Sequence, residues 1–352
     1  MTRLRLLAGV ERVSAVPAPM RTIHGCRADA LPLDELLAEG TPVLLKGVAR
    51  DWGLVRAGLE SSAEAMAHLR RFDADRPLQY SYGDPSIGGR PFYNDDFTAL
   101  NFEVRRGGLD DVLRSIEDHL DDALPPTYYV ASLALAAALP GFSDENDLDL
   151  AALGIGAPPS IWIGNRVVAS CHFDAPENIA VCAVGQRRFT VFPPDQIDNL
   201  YPGPLDPTPG GQVVSLVDFA EPDFEQHPRF RDALAVAQTA LLEPGDAIYI
   251  PGMWWHHVRS LAPFNVLVNY WWRRSPAYLA SPLPALHHAL WTLRDLPERE
   301  KRAWAGVFEY YVFGPGTRAG EHLPVQARDI LGPIDETLAR RIRARLIGWL
   351  NR

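Results

Sequence analysis

Two short segments about eighty residues apart, SCHFDAPEN at 170–178 and IPGMWWHHVRSL at 250–261, constrain this chain more than any other feature. One residue separates His172 from Asp174, so on an extended strand both side chains leave the same face. A third ligand from the distant His256–His257 pair would complete two imidazoles and one carboxylate on one side of a metal. That facial set suits non-haem Fe(II), because it leaves positions open for a co-substrate and for O2. The site forms only if two remote strands converge.

The HxD triplet gains weight from its surroundings. After Asp174 come Asn178, the apolar run IAVCAV, Gly185-Gln186 and RRFTVFPP. Gly followed by a polar residue between two strand-like runs reads as a two-residue hairpin. In such a hairpin Val184 faces Arg187, Cys182 faces Phe189 and Ala180 faces Val191. Alternation puts Arg187 on the same face as Asn178, with Arg188 and Thr190 on the other. A charge pointing into an apolar interior needs a partner. The guanidinium fork matches a carboxylate, supplied either by a protein acid or by an anionic co-substrate such as 2-oxoglutarate.

Further along, Pro244-Gly245-Asp246 marks a turn, and AIYIP reads as a short buried strand. Only one of His256 and His257 can share the metal-facing side of a regular strand. The last strand alternates Asn265, Leu267, Asn269 and Trp271 on one face. Asn269, mid-strand among apolar residues, needs a buried partner. It is either a satisfied core amide or a donor to a bound group.

Taken together, HFDAPENIAVCAVGQRRFTVFPPDQIDNLYPGPLD, VDFAEPDFEQHPRF, LEPGDAIYIPGMWWHHVRSL and VLVNYWW resemble the JmjC-type, cupin-like Fe(II)/2-oxoglutarate oxygenases, those that hydroxylate asparagine in particular. The resemblance is close over about residues 160–272 and looser at PVLLKGVARDW. It implies a mainly β fold with flanking helices: a double-stranded β-helix (cupin, jelly-roll) barrel with a C-terminal helical extension. The expected division is an oxygenase domain over 1–275, its core at about 125–272, and a helical dimerisation region over 276–352. The resemblance selects His256, the His that precedes any residue and then Val, to join His172 and Asp174 as metal ligands. It assigns Tyr129, Asn178, Arg187 and Asn269 to the co-substrate. The implied reaction hydroxylates a C–H bond of a peptide or protein side chain, consuming O2 and releasing succinate and CO2. A free amino acid or small metabolite as substrate, N-demethylation, and a non-enzymatic binding barrel are the alternatives. Two positions depart from the pattern. Arg187 stands where a Lys is found in the resembling hydroxylase, and Ala169 where a Thr is frequent, with Ser170 shifted in parity from that role.

The substrate wall is expected in PLQYSYGDPSIGGRPFYNDDFTALNF, either as a flanking hairpin or as a surface presenting Tyr82 and Tyr93, with Trp271 facing the substrate from the last strand. The Pro/Gly-rich stretch PPDQIDNLYPGPLDPTPGGQ is long enough to act as a lid or binding loop. A net charge of −10 argues against nucleic acid as a partner. Cys26, Cys171 and Cys182 lack a close spacing motif, so no disulfide framework is expected. The apolar run in MTRLRLLAGVERVSAVPAP is too short for a signal peptide and no stretch spans a membrane, which points to the cytoplasm. Near the end, Ile334, Leu338, Ile342 and Leu346 recur every four residues as one apolar stripe beside many arginines. Such a stripe packs on its own barrel or, as the resemblance implies, pairs two copies in a homodimer.

Overall fold

A computed structural model describes residues 17–316 and 318–351; most of the N-terminal segment weighed above as a leader lies outside them. The described chain divides into two compact units, with the boundary between Trp272 and Arg273. The first is mainly β. Its strands are β1 (Ala18–Pro19), β2 (Thr22–His24), β3 (Val43–Lys46), β4 (Leu78–Gly83), β5 (Glu103–Gly107), β6 (Thr127–Ala134), β7 (Pro159–Gly164), β8 (Val168–Phe173), β9 (Glu177–Val184), β10 (Arg187–Phe192), β11 (Gln238–Leu242), β12 (Ala247–Ile250), β13 (Trp255–Ser260) and β14 (Asn265–Trp272).

These strands form two sheets. The smaller runs β1-β11-β10-β13-β8, and the larger runs β2-β3-β12-β9-β14-β7-β6-β4-β5. Period-two alternation decides what each face meets. On β9, Ile179, Val181 and Ala183 point outward into a core shared with helices, among them Gly53–Glu60 and Ser62–Arg70. Ala180 and Cys182 point inward, where they join Phe189, Val191, Val258 and Leu267 from both sheets. The outer side of the small sheet buries Phe192 and Trp255 against Leu200, Val217 and Phe230. Each sheet is therefore apolar on both faces, which explains the near-continuous hydrophobic run of β9.

The expected hairpin across Gly185-Gln186 does not form. β9 pairs with β12 and β14, whereas β10 pairs with β11 and β13, so the turn carries the chain from one sheet to the other. Gly185 adopts φ 76°, and a Cβ there would lie 2.3 Å from Asn265 Oδ1. The tight corner needs glycine for that close approach. Because strand parity is unaffected by the choice of partner, Arg187 still points inward.

The second unit is helical, with helices at Leu283–Leu293, Glu298–Phe308 and Glu336–Leu350. Asp335 caps the last of these by accepting a hydrogen bond from the Leu338 amide at 2.7 Å. Of the expected stripe, Leu338 is buried, Ile342 is half-buried, and Ile334 and Leu346 are exposed. Trp349 and Leu350 beside them are also exposed. Among the described residues, no helix is long and apolar enough to cross a membrane.

Candidate metal centre

β8 and β13 lie side by side with His172 opposite His256. Between His256 and Val258 the pairing slips, so that Val258 faces Ala169. The β8 side thus holds one residue more than the β13 side, a bulge of the kind that re-aims side chains next to sites. Asp174 follows β8 directly, and its carbonyl accepts the Met253 amide at 2.7 Å. Gly252 makes this contact possible, because a Cβ there would sit 2.5 Å from the Ala175 carbonyl oxygen. The IPGM turn is thereby pressed against the segment that carries the carboxylate.

Donor atoms of His172, Asp174 and His256 all lie within 4.8 Å of one another, the one such cluster among the described residues. His256 Nε2 is 3.7 Å from Asp174 Oδ2. Each imidazole is oriented by its own backbone. Nδ1–H of His172 donates to the Ser170 carbonyl (2.8 Å), and that of His256 to the Trp254 carbonyl (3.1 Å). These bonds leave both Nε2 atoms as bare acceptors facing the carboxylate, the tautomer a metal ligand requires. Burial, with His172 next in effect, pushes the His256 pKa down to about 4, so the ring is neutral at neutral pH. Two imidazoles and one carboxylate fit Fe(II). His257 turns the other way and stacks on Phe219, with ring centroids 4.5 Å apart.

The cluster lies in a cavity of about 360 Å³ between the sheets, lined also by Tyr129, Asn178, Arg187, Asn269 and Trp271. Arg187 is 4% exposed, yet its Nε has no hydrogen-bond partner among the described residues. Burial lowers its pKa, and the only groups that oppose this are Tyr129 and Cys182. Both are held neutral, because burial pushes each of their pKa values up to about 12. Arg187 is therefore a buried cation without a carboxylate partner among the described residues. The registers place it one strand-length from the metal ligands: on β10, Arg187 pairs with Ser260 while Val191 pairs with His256. Four residues span about 13 Å along a strand, a gap that a long Arg side chain and a five-carbon dicarboxylate bridge between them.

Asn269 finds the buried partners it needs. Its Oδ1 accepts from the Trp162 indole N–H at 2.7 Å, and its Nδ2 donates to Asn178 Oδ1 at 3.2 Å. Trp162 alternates with the outward-facing Ile161 and Ile163 of SIWIG, so its inward direction was available from the pattern.

The wall differs from expectation. Tyr82 and Tyr93 do not line the cavity. Ser81 is the β4 residue that does, paired with Tyr129, so alternation sends Tyr82 to the far face of the sheet. There it packs edge-on to Tyr128 beneath the Arg105 guanidinium. Tyr93 is buried and donates to the Pro204 carbonyl, bracing the loop that follows β10. Part of that loop, Pro209, Gly210, Gln212 and Val214, does line the cavity. Ser170 also lines it, and is bonded by Arg90, which reaches Asp218 (3.1 Å) and the Val217 carbonyl (3.2 Å) as well. Nothing in the sequence singled out Arg90, since its three partners are remote in the chain.

A two-sheet barrel enclosing a two-histidine, one-carboxylate cluster defines the cupin class of metal proteins. The cupin-like domain profile matches residues 29–278, and the chain belongs to that family, in its JmjC-type form. It is 31% identical to human HSPB1-associated protein 1 over 158 residues, 44% of this chain and 32% of that protein. It is 30% identical to Jumonji C domain-containing protein 5 of Drosophila melanogaster over 283 residues, 75% of this chain and 65% of that protein. Likeness to the chicken tRNA wybutosine-synthesizing protein 5 is 30% over 149 residues, 38% of this chain and 44% of that protein. The chain thus matches about a third of the first relative's length and under two thirds of the others'.

Proposed function

We propose that this chain is an Fe(II)- and 2-oxoglutarate-dependent oxygenase that hydroxylates a C–H bond of a peptide or protein side chain. The observation that carries the reading is the pairing, in one cavity, of a facial His172/Asp174/His256 cluster with a buried Arg187 that finds no carboxylate among the described residues. Iron and 2-oxoglutarate together supply the activation of O2, with succinate and CO2 as by-products. The protein's part is binding, orientation and exclusion of water. His172, Asp174 and His256 hold the metal, with their Nδ1–H bonds fixing both imidazoles. Arg187 pairs with the far carboxylate through two parallel hydrogen bonds, and the neutral Tyr129 phenol donates beside it. Asn178 and Asn269 line the path between the two ends.

A protein target is favoured over nucleic acid by the net charge of −10. The name of HSPB1-associated protein 1 speaks for protein association in that relative. The wybutosine relative is named for work on tRNA, which the acidic balance here disfavours. The exposed apolar residues of the last helix, Leu346 and Trp349 among them, support pairing of two copies through this element. Three free, buried thiols suit a reducing, cytoplasmic setting. The test is mass spectrometry of a cell extract incubated with Fe(II), 2-oxoglutarate and either the protein or its His256→Ala variant. A peptide that gains one oxygen atom only with the unaltered protein supports the reading. A gain confined to small metabolites overturns the protein-target part of it.

A further inference from the structure

Trp271 presents an unexplained donor. Its indole Nε1 is shut off from solvent and has no hydrogen-bond partner among the described residues, although the residue lines the cavity. A buried donor without an acceptor carries its full desolvation cost, and an indole N–H can only donate. Asp174, the one acid lining the same cavity, does not serve it.

Position narrows what the acceptor is. On β14, Trp271 lies opposite Asn178, and Asn178 follows Asp174 by only four residues. At the other end of β14, Asn265 accepts from the Gln186 amide beside Arg187. Trp271 therefore stands at the metal end of the cavity, across from the cluster and away from the guanidinium. The neighbouring amides add a direction. Trp162 N–H must donate, so Asn269 accepts with Oδ1 and donates with Nδ2, and Asn178 accepts with Oδ1. The Asn178 carbonyl is thereby engaged, and its amide N–H groups are what remain for the cavity. Both side chains at this level offer donors, so the group that fits is an oxygen acceptor, and a carboxylate matches best.

We infer that Trp271 Nε1–H donates to the metal-end carboxylate of the bound 2-oxo acid, as a binding residue for the co-substrate. This rests on the reading of the cavity as a 2-oxoglutarate site. The indole also meets the Trp162 ring edge-on, with centroids 5.8 Å apart.

The test is calorimetric titration of 2-oxoglutarate into full-length protein loaded with Mn(II), which needs no turnover. Trp271→Phe is expected to weaken binding about tenfold, the value of one hydrogen bond to a charged acceptor. Incorporating benzothienylalanine at position 271 keeps the ring shape and replaces N–H by sulfur, so loss of packing is excluded. The same weakening with this isostere supports the inference. Unchanged affinity with the isostere overturns it while leaving the oxygenase reading intact. Failure of the unaltered, Mn(II)-loaded protein to bind 2-oxoglutarate removes that reading and the inference with it.

Discussion

Replacing Arg187 with Met separates a residue kept for folding from one kept for a ligand. Arg187 is 4% exposed, its Nε has no partner among the described residues, and its neighbours Tyr129 and Cys182 are neutral. A buried polar group left unsatisfied costs about 1–3 kcal/mol, so an apolar side chain of similar length relieves the ligand-free protein by about that amount. For a unit of this size, each kcal/mol moves the melting temperature by about 2–4 °C. Arg187→Met is accordingly expected to melt about 2–12 °C above the parent in the absence of 2-oxoglutarate. With the co-substrate the gap narrows. Loss of a charge-assisted contact of about 1.5–3 kcal/mol weakens binding roughly 10- to 150-fold. At a concentration near 100 times the parent's Kd, the parent gains about 2.7 kcal/mol and the variant about 0.3–1.4 kcal/mol. Differential scanning fluorimetry with Mn(II), with and without 2-oxoglutarate, reads both effects, and Arg187→Lys should recover part of the ligand response. A variant that melts below the parent without ligand and keeps its full response refutes the reasoning, because Arg187 would then be a structural residue.

The remaining expectations concern other parts of the molecule. Removing the chain after Gly332 deletes the helix Glu336–Leu350 with its exposed Leu346, Ile347 and Trp349; light scattering is expected to show a dimer for the full chain and a monomer for the truncated one. A full-length monomer at micromolar concentration excludes the paired arrangement. His68 is buried, and its pKa is lowered by that burial first and by Arg71 next, with Glu145 opposing. Its folded pKa lies below the unfolded value of about 6.5, so as pH falls below that value the unfolded chain takes up the proton first and stability drops, by at most about 1.4 kcal/mol per pH unit. His68→Phe should flatten this part of the acid-unfolding curve, and an unchanged slope would exclude His68 as its source.

What the sequence revealed follows from what alternation encodes. The inward direction of Asn178, Asn269 and Trp271 depends only on parity within a strand, so it was legible without knowing which strands pair; that of Arg187 was read through a hairpin that does not form, and holds because Arg187 alternates in step with the inward Phe189 and Val191. The partners themselves were not. Gly185-Gln186 has the chemistry of a hairpin, and only the pairing of β9 with β12 and β14 shows that it turns a corner between sheets. Tyr82 was misplaced because only the register of Ser81 with Tyr129 shows which face of β4 meets the cavity, and Tyr93 because its partner, the Pro204 carbonyl, is remote in the chain. Arg90 escaped notice because its function is to join Ser170, Val217 and Asp218, residues that only the fold brings together. His256 was separated from His257 by resemblance to a family motif, and the structure adds the physical reason. One ring faces Asp174 while the other is stacked on Phe219.

The central claim is tested most directly by following conversion of 2-oxoglutarate into succinate by the Fe(II)-loaded full chain under O2, using NMR. The account expects succinate to form slowly with the protein alone, only when Fe(II) is present, and not in the His256→Ala variant, while His257→Ala retains the activity. Succinate formed equally by His256→Ala, or none formed by the loaded protein with or without cell extract, would contradict it.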